Sequence, residues 1–370
     1  MESDLVRDLV VVASSSRGGS TYLGELLRRA PGTLHLQGET NPYVDVADGE
    51  PSVLSAVLGV DIGRPAEEGD GEDVEETLVW RLQLQWPDLD LDREQILRWV
   101  RETRAEVPFA AGEPFHVRLL QRAGLNPWYY DLPEATVRAH FPHVPKPSGP
   151  PGETVHEMAP FILVRPWRRA TPEELATQPV VLTTPRNSFR LPLLRRLFPN
   201  ARVRVLHLTR HPAAAVNGLV DGWGHHGFFS RTVDVPLRIA GYSDRFPEWG
   251  TRWWKFDPFP GWRDWTEAPL ELVCARQWAV PHEVVLADDG ERHTVRFEDL
   301  VGPRRADVLA SLADWLGVPS VAELEDVELP PLMATQPPSA ERWRANAGRI
   351  VPALREAGVT DLAGRLGYEL

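Results

Sequence analysis

The sequence predicts an α/β protein with three layers, in which a mostly parallel central sheet lies between helices and irregular, aromatic-rich insertions form a cap. Two observations lead to this fold class. At residues 11–24 (VVASSSRGGSTYLG), an apolar, β-branched run gives way to a glycine turn and then to helical spacing. From residue 179 to residue 316, short apolar strands alternate with helices, which is typical of a parallel sheet covered on both faces.

The first turn is typical of an anion-binding site. Residues 16–21 (SRGGST) combine a tight glycine turn with hydroxyl groups and one cation, Arg17. A strand, a glycine turn and a helix in succession direct free backbone N–H groups and a helix N-terminus at a bound anion. The turn therefore suits a phosphate or a sulfate, and an ordinary strand-to-helix turn is the alternative.

Composition limits the class of protein. The 370 residues are 42% hydrophobic and include 14 tryptophans, which is enough for a large core in one elaborated domain. The net charge of −13 argues against a nucleic-acid partner or an anionic membrane surface, although a local cationic pocket is compatible with it. The lone cysteine, Cys274, excludes an intramolecular disulfide. No apolar run approaches the ~20 residues of a membrane span, so we expect a cytoplasmic protein.

The elements that follow the first helix are predicted from periodicity and capping. Thr33–Gln37 alternates apolar and polar residues and is predicted as a second strand, which places Glu39 in a loop at the same end of the sheet as the glycine turn. Residues 48–78 are acidic and glycine-rich, and we expect a solvated loop there. Asp92 is predicted to cap a helix that runs to about Arg104.

Two regions are predicted as insertions that build a cap or a substrate pocket on a single domain spanning residues 1–370. Between residues 125 and 178, prolines and aromatic residues break any long period, and we expect an irregular cap rather than core. The first insertion is placed at residues 60–178. The second, at residues 221–269, is rich in tryptophan and phenylalanine and is interrupted by glycine and proline.

Regular α/β signals return after residue 178. The predicted elements, in chain order, are a strand at Pro179–Thr183, a helix at Phe189–Phe198, a strand at Arg202–Leu208, a helix whose first turn contains Pro212, a helix at Leu270–Ala287 with a kink at Pro281, a strand at His293–Phe297 and a helix at about 303–316.

The glycine turn departs from the usual nucleoside-triphosphate loop. That loop needs a lysine directly before Ser or Thr in G-x-x-x-x-G-K-[ST]. Here Gly19 stands in the lysine position, and no strand-terminal Asp offers itself as a partner for Mg²⁺. The turn therefore suits a single 5′-phosphate-like group better than a metal-bound triphosphate.

Three segments in order resemble the sulfotransferases that use 3′-phosphoadenosine 5′-phosphosulfate (PAPS), a family with a P-loop-like fold. Residues 15–21 (SSRGGST) look like the family's 5′-phosphosulfate loop, with Arg17 at its Lys/Arg position. Residues 206–218 (LHLTRHPAAAVNG) look like the 3′-phosphate motif, and residues 295–300 (VRFEDL) resemble the R-[YF]-E-D-L segment. The chain end, at residues 341–344 and 366–370, is similar to bacterial members.

Two positions differ from the family pattern. The family usually has a serine eight residues after the arginine of the 3′-phosphate motif, and here that position is Gly218, so Asn217 or backbone N–H groups must substitute. Bacterial members often have L-K-x-P where this chain has residues 182–185 (LTTP), and Arg186 or Arg190 is then the alternative source of charge.

The resemblance implies in-line displacement at the sulfur of PAPS, with adenosine 3′,5′-bisphosphate leaving and no metal required. Arg17 would stabilise the leaving phosphate, and Ser20 or Thr21 would bond the 5′-phosphate. Arg210 would pair with the 3′-phosphate as a two-pronged donor, and Arg342 or Arg344 would close over the nucleotide. The predicted donor-binding residues are Arg17, Gly18, Gly19, Ser20, Thr21, Arg210, Asn217, Gly218, Arg342 and Arg344.

The acceptor's proton needs a base, and two candidates stand out. By resemblance to bacterial members, Glu39 is the first, because a carboxylate whose pocket raises its pKa can take a proton near neutral pH. His225 is the rival, with His226 beside it, and histidine fills this role in the cytosolic branch of the family. The histidine pair lacks a second ligand pair at metal-binding spacing, so we expect no metal site.

The acceptor pocket is placed by the same reasoning. Glu39, Trp223, His226 and Phe228 are the predicted acceptor-binding residues, while most tryptophans of the second insertion are expected to form a small core. Glu298 and Asp299 are expected to orient neighbouring backbone rather than to catalyse. The predicted function is PAPS-dependent sulfuryl transfer to a hydroxyl or amine of a small molecule, with homo-oligomerisation left open. A P-loop kinase-like transferase and a nucleotide-binding relative without catalysis are the alternatives.

Overall fold

The computed structural model describes residues 2–40, 61–66, 71–147, 149, 166–225 and 228–370. The strands are β1 (Asp8–Ala13), β2 (Leu34–Leu36), β3 (Ile62–Pro65), β4 (Trp167–Arg169), β5 (Val180–Thr183), β6 (Arg202–Thr209), β7 (Ser230–Thr232), β8 (Trp253–Lys255) and β9 (Arg292–Arg296). The helices are α1 (Ser20–Leu27), α2 (Gly71–Gln85), α3 (Arg93–Glu106), α4 (Glu113–Ala123), α5 (Glu134–His140), α6 (Pro172–Thr177), α7 (Leu191–Leu197), α8 (Pro212–Trp223), α9 (Leu270–Ala287), α10 (Phe297–Leu300), α11 (Arg305–Leu316), α12 (Ala347–Glu356) and α13 (Thr360–Arg365).

The central sheet has β1 in its middle. Its strand order is β4-β3-β2-β5-β1-β6-β9, and the five strands from β2 to β9 in that order are parallel. Helices cover both faces, so the predicted three-layer α/β fold is confirmed. Because parallel strands end at the same edge, the loops after β1, β2, β5 and β6 meet there, and this edge carries the candidate site.

The apolar run of β1 explains its central place. Successive side chains of a strand point to opposite faces, and here both faces are buried. Leu9 and Val11 join one apolar cluster with β5, α7 and β6 residues, while Val10 and Val12 join another with α1 and α11 residues. The prediction of a fully buried first strand is therefore confirmed.

The first insertion is more regular than its composition indicates. The solvated loop expected at residues 48–78 is wrong for the part that the structure describes, because β3 and most of α2 fall there; residues 41–60 and 67–70 lie outside the described residues. Val74, Leu78 and Leu82 are spaced by four residues and bury one face of α2. That apolar face decides the local structure despite the acidic flank.

The irregular cap expected at residues 125–178 also needs correction for the part that the structure describes; residues 148 and 150–165 lie outside the described residues. The region holds α5, β4 and α6, and β3 and β4 extend the central sheet in antiparallel pairing instead of leaving it. Gly63 makes this pairing possible, since a Cβ there would lie 2.0 Å from the carbonyl oxygen of Arg168. Helices α2, α3 and α4 pack on one another in a separate apolar cluster.

Element boundaries elsewhere follow the sequence closely. The Asp92 side chain accepts a hydrogen bond from the Gln95 N–H at 3.0 Å, which is the predicted helix cap. Helix α9 runs from Leu270 to Ala287 with Pro281 inside it. The strand predicted to reach Phe297 ends one residue earlier, because Phe297 begins the short helix α10.

The second insertion forms a small aromatic core beside the sheet. Strands β7 and β8 pair antiparallel, and the fully buried Trp254 packs edge-on against the equally buried Trp223. Tyr242 and Trp249 complete the cluster. The expectation that most of these tryptophans form a core is confirmed. None of the helices in the described residues has the length and apolarity to cross a lipid bilayer.

Candidate active site

A cavity of about 370 Å³ opens at the edge of the sheet where β1, β2 and β6 end. Its walls come from the glycine turn, the loop after β2, helix α8, the second insertion and the segment 329–343. No described residue of the first insertion lines it. The predicted site residues that line it are Arg17, Gly19, Ser20, Thr21, Glu39, Arg210, Asn217, Gly218, Phe228 and Arg342.

The glycine turn has an unusual backbone that faces the cavity. Arg17 has φ 63° and Gly19 has φ 100°, both in the left-handed region, and the Gly18 N–H donates to the Ser15 carbonyl at 3.0 Å. A Cβ on Gly19 would lie 2.3 Å from the Phe297 ring, so only glycine fits. Helix α1 then begins at Ser20 with no side-chain cap, which leaves the N–H groups of its first turn to a ligand.

Three arginine side chains converge on this part of the cavity, and we call it the arginine end (Arg17, Arg210 and Arg342). Burial, and after it the positive charge of Arg210, lowers the pKa of Arg17 to about 10. Burial also lowers the pKa of Arg210. Like charges held together in a buried position favour an anionic ligand, because an anion offsets their mutual repulsion.

Each of the three guanidinium groups has a defined position. Arg17 Nη1 donates to the Met333 carbonyl at 2.7 Å, and its buried Nε has no acceptor among the described residues. Arg210 Nη1 donates to the Arg17 carbonyl at 3.0 Å. Arg342 pairs with Asp221. Polar capacity at Arg17 thus remains for a ligand.

Aromatic rings pack against two of the three guanidinium groups. The Arg17 guanidinium lies 4.5 Å from the centre of the Phe228 ring, and that of Arg210 lies 4.9 Å from the centre of the Phe297 ring. Such cation–π contacts fix a guanidinium plane while leaving its edge free to donate. Phe228, predicted as an acceptor contact, therefore also holds Arg17 in place.

Helix α8 contributes Asn217 and Gly218 to the cavity lining. Asn217 Oδ1 accepts a hydrogen bond from Asn346 Nδ2 at 2.8 Å, so its amide nitrogen is the group that can donate to a ligand. Gly218 lies directly against Arg17, since a Cβ there would be 3.5 Å from the Arg17 Cβ and 3.6 Å from its Nε. The glycine at position 218, where the family that the sequence resembles usually has serine, thus leaves space beside the Arg17 side chain.

The cavity lining also contains two acidic residues, and we call this part of the lining the carboxyl end (Glu39 and Asp257). Burial, and after it the neighbouring charge of Asp257, raises the pKa of Glu39 to about 8, whereas Arg190 acts against this shift. A carboxyl group with this pKa exchanges its proton near neutral pH, which is what a general base requires.

The loop that carries Glu39 is held by the segment after β5. The Thr40 N–H donates to Thr184 Oγ1 at 2.9 Å, and the Thr40 hydroxyl donates to Asn187 Oδ1 at 2.7 Å. Arg190 Nη1 also reaches the Thr40 hydroxyl, at 3.2 Å. Thr184, Asn187 and Arg190 therefore hold the residue that follows Glu39.

Sequence reasoning missed two parts of the cavity. Asp257 follows β8 with no motif around it, and only the fold brings it to Glu39. Segment 329–339 (LPPLMATQPPS) forms one wall and contributes the Met333 carbonyl that Arg17 contacts. Its clustered prolines were the one available signal of a fixed loop.

Several predicted site residues lie away from the cavity lining. Trp223 is fully buried, and its indole N–H donates to Gln277 Oε1 at 2.8 Å, which gives it a core position instead of an acceptor contact. Arg344 is largely exposed and pairs with Glu341, so Arg342 is the arginine of this segment that reaches the cavity. Gly18 packs against the Ser15 carbonyl beneath the turn.

Of the two histidines considered for the site, the structure describes one. His225 does not line the cavity; its ring packs on Phe228 with centres 4.9 Å apart, and its carbonyl accepts a hydrogen bond from Lys255 Nζ at 2.5 Å. His226 lies outside the described residues. Among the residues that the structure describes, no group of three or more His, Cys, Asp or Glu side chains is arranged to hold a metal ion.

Glu298 has the orienting role expected from the sequence. Its Oε1 accepts a hydrogen bond from the His211 N–H at 2.9 Å, and its Oε2 accepts one from the Tyr368 hydroxyl at 3.0 Å. These bonds fix the backbone directly after Arg210 and tie the C-terminal segment to it. Asp299 faces Arg304 at 3.6 Å, outside the cavity lining.

Comparisons with known proteins found matches only among solved structures. No family model matches the chain, and no curated protein does. The sulfotransferase domain from the curacin biosynthetic pathway is similar at 14% identity and a TM-score of 0.41, over 99% of each chain. The sulfotransferase domain from the Synechococcus PCC 7002 olefin synthase is similar at 16% identity and a TM-score of 0.39, over 98% of this chain and 95% of that one. At this identity the functional argument rests on the cavity itself.

Proposed function

We propose that the chain is a sulfotransferase that moves the sulfuryl group of PAPS to a hydroxyl or amine group of a small-molecule acceptor. The observation that carries this proposal is the composition of one cavity, whose lining combines three arginines with two carboxyl groups. An anionic donor and an acceptor that must lose a proton need these two environments side by side.

The residues of the arginine end suit the two anionic groups of PAPS. Arg17, whose Nε lacks an acceptor among the described residues, suits the 5′-phosphosulfate together with the N–H groups that begin α1. Arg210 and the Asn217 amide suit the 3′-phosphate, and Arg342 adds charge at the rim. When bound, PAPS supplies the sulfuryl group that is transferred.

The protein's part in the reaction follows from these positions. Negative charge develops on the leaving phosphate oxygen, and Arg17 with the fixed N–H groups of the glycine turn stabilises that charge. Glu39 accepts the proton of the acceptor and becomes the neutral acid. Because its pKa is raised to about 8, the reactive carboxylate form increases as pH rises toward and past that value.

Calorimetric titration with adenosine 3′,5′-bisphosphate, adenosine 5′-monophosphate and Mg-ATP tests the proposal. We expect the bisphosphate to bind at least about tenfold more tightly than the monophosphate without added metal, because the second phosphate gains charge-assisted hydrogen bonds. A screen of alcohols and amines with PAPS follows. The Arg344→Ala variant, changed at an exposed arginine outside the cavity, serves as the control and should bind as the wild type does.

Other results would favour the alternatives. A clear preference for Mg-ATP would support a kinase-like transferase. Tight binding of the bisphosphate without transfer to any acceptor would support a nucleotide-binding protein that lacks catalysis. If none of the three nucleotides bound, the assignment of the arginine end as a nucleotide-binding site would be wrong.

A further inference from the structure

We propose that Asp257 is a positioning residue for proton transfer: it stands beside Glu39 at the carboxyl end of the cavity, and its negative charge strengthens Glu39 as the base that takes the acceptor's proton. The inference rests on the proposed function for its kinetic consequence. The pairing of the two carboxyl groups can be tested without any substrate.

The backbone before Asp257 is held in a strained conformation that places this side chain. Phe256 has φ 61°, which is uncommon for a bulky residue. Its N–H donates to the Phe229 carbonyl at 2.8 Å, and its ring packs so closely on Gly222 that a Cβ there would lie 2.4 Å from it. Strain of this kind persists where the surrounding structure enforces it, and it is concentrated at functional sites.

One oxygen of the Asp257 carboxyl group has no hydrogen-bond partner among the described residues, although the group does interact with the Ser16 hydroxyl. That oxygen, Oδ1, is buried, and the residue lines the cavity. A buried carboxylate oxygen without a donor is costly. A proton shared with Glu39 or the acceptor's own hydroxyl would satisfy it.

The charges around the pair allow it to hold a proton. Burial raises the pKa of both carboxyl groups, and the interaction with Asp257 raises that of Glu39 further. Two carboxyl groups in one site do not both ionise readily. Arginines act against these shifts and keep the pair from staying fully protonated; those facing Glu39 are Arg28, Arg81 and Arg190, and those facing Asp257 are Arg186, Arg190 and Arg231.

The transfer step balances with Asp257 as a spectator charge. The acceptor oxygen forms a bond to sulfur, the bond between sulfur and the 5′-phosphate oxygen breaks, and its electron pair leaves with adenosine 3′,5′-bisphosphate. The acceptor's proton passes to Glu39. Asp257 stays ionised and stabilises the protonated Glu39 that results.

A titration of the ligand-free protein tests the pair. The side-chain carboxyl carbons of glutamate are isotopically labelled, and the Glu39 signal is identified by NMR as the one that the Glu39→Gln variant lacks. We expect the titration midpoint of Glu39 to fall by about one pH unit or more in Asp257→Asn, since a neighbouring charge is removed. Asp264→Asn, an exposed change in the same insertion, should leave the midpoint where it is.

An unchanged Glu39 midpoint in a folded Asp257→Asn protein would overturn the proposal whatever the enzyme's reaction is. If the midpoint falls as expected, the pH profile of kcat/KM should show its acid limb shifted down by the same amount, and Asp257→Glu should restore the limb. Binding of adenosine 3′,5′-bisphosphate should not change in either variant. If the wild-type protein did not bind adenosine 3′,5′-bisphosphate, the proposed function would be contradicted. The pairing of Glu39 with Asp257 would be unaffected by that result.

Discussion

The two ends of the cavity differ in charge and in where their residues come from. The arginine end is built by Arg17 after β1, Arg210 after β6 and Arg342 near the chain end, all within segments that a sequence motif singles out. The carboxyl end joins Glu39, after β2, to Asp257 from the second insertion. If the proposed function is right, the loops that follow the strands of the sheet bind the donor, whereas the second insertion contributes to the environment of the acceptor.

The largest effect is expected at the arginine end. Arg17→Ala should lower kcat/KM for sulfuryl transfer by on the order of 10³-fold, because it removes the cation nearest the leaving phosphate. Steady-state assays with PAPS measure it. Arg344→Ala, outside the cavity, is the matched control and should stay within about twofold of the wild type. Equal losses in the two variants would contradict the special position of Arg17.

The carboxyl end should separate turnover from donor binding. Glu39→Gln should lower kcat by about 10²-fold or more, because the amide cannot accept the acceptor's proton. Its calorimetric affinity for adenosine 3′,5′-bisphosphate should match that of the wild type. If the variant lost that affinity as well, the division of the cavity into two functional ends would be wrong.

The strands and turns of this fold were predictable because they depend on local pattern. The buried run of β1 and the glycine turn after it have a physical signature within a few residues, as does the Asp92 cap. The pairing of β3 and β4 with the sheet had no such signature. It depends on contacts between residues about 100 positions apart in the chain, such as Gly63 with Arg169.

The residues of the candidate site also fall into two groups, those that local sequence predicts and those that only the tertiary fold brings to the cavity. Arg17 and Arg210 are placed by the strands they follow, so sequence reasoning reached them. Asp257 is placed by the strained Phe256 and its packing on Gly222, which no short segment encodes. Trp223 was predicted to line the pocket because of its place at the end of α8. Tertiary packing buries it instead, and its indole N–H donates to Gln277.

A smaller effect is expected at the 3′-phosphate. Arg210→Ala should reduce the preference for adenosine 3′,5′-bisphosphate over adenosine 5′-monophosphate by roughly 10- to 100-fold, the value of a hydrogen-bonded charge pair. Calorimetry with both nucleotides gives the ratio. An unchanged preference would show that another group binds the 3′-phosphate.

The raised pKa of Glu39 also has a consequence for stability. The folded state holds this proton up to about pH 8, whereas the unfolded chain releases it near 4.5, so the stability contributed by the neutral group is complete below 4.5 and is lost as pH rises through 8. Glu39→Gln should therefore melt a few degrees above the wild type at pH 9. Thermal scans at pH 9 and pH 5 test this, and an equal difference at both would refute it.

The smallest effect concerns the residue by which the arginine end departs from the family pattern. Gly218 lies in α8 against Arg17, with room for a Cβ at 3.5 Å from the Arg17 Cβ. Gly218→Ser adds a hydroxyl at the position where the sulfotransferases that the sequence resembles usually have the serine of their 3′-phosphate motif. One added hydrogen bond of about 1 kcal/mol should tighten binding of the bisphosphate roughly three- to tenfold.

Gly218→Ala separates the hydroxyl from the backbone effect. Both substitutions raise helix propensity in α8, so both should raise the melting temperature slightly. Only the serine variant should gain affinity for the bisphosphate, and neither should gain affinity for the monophosphate. Equal affinity in the serine and alanine variants would mean that the nucleotide's 3′-phosphate does not reach the side chain at residue 218.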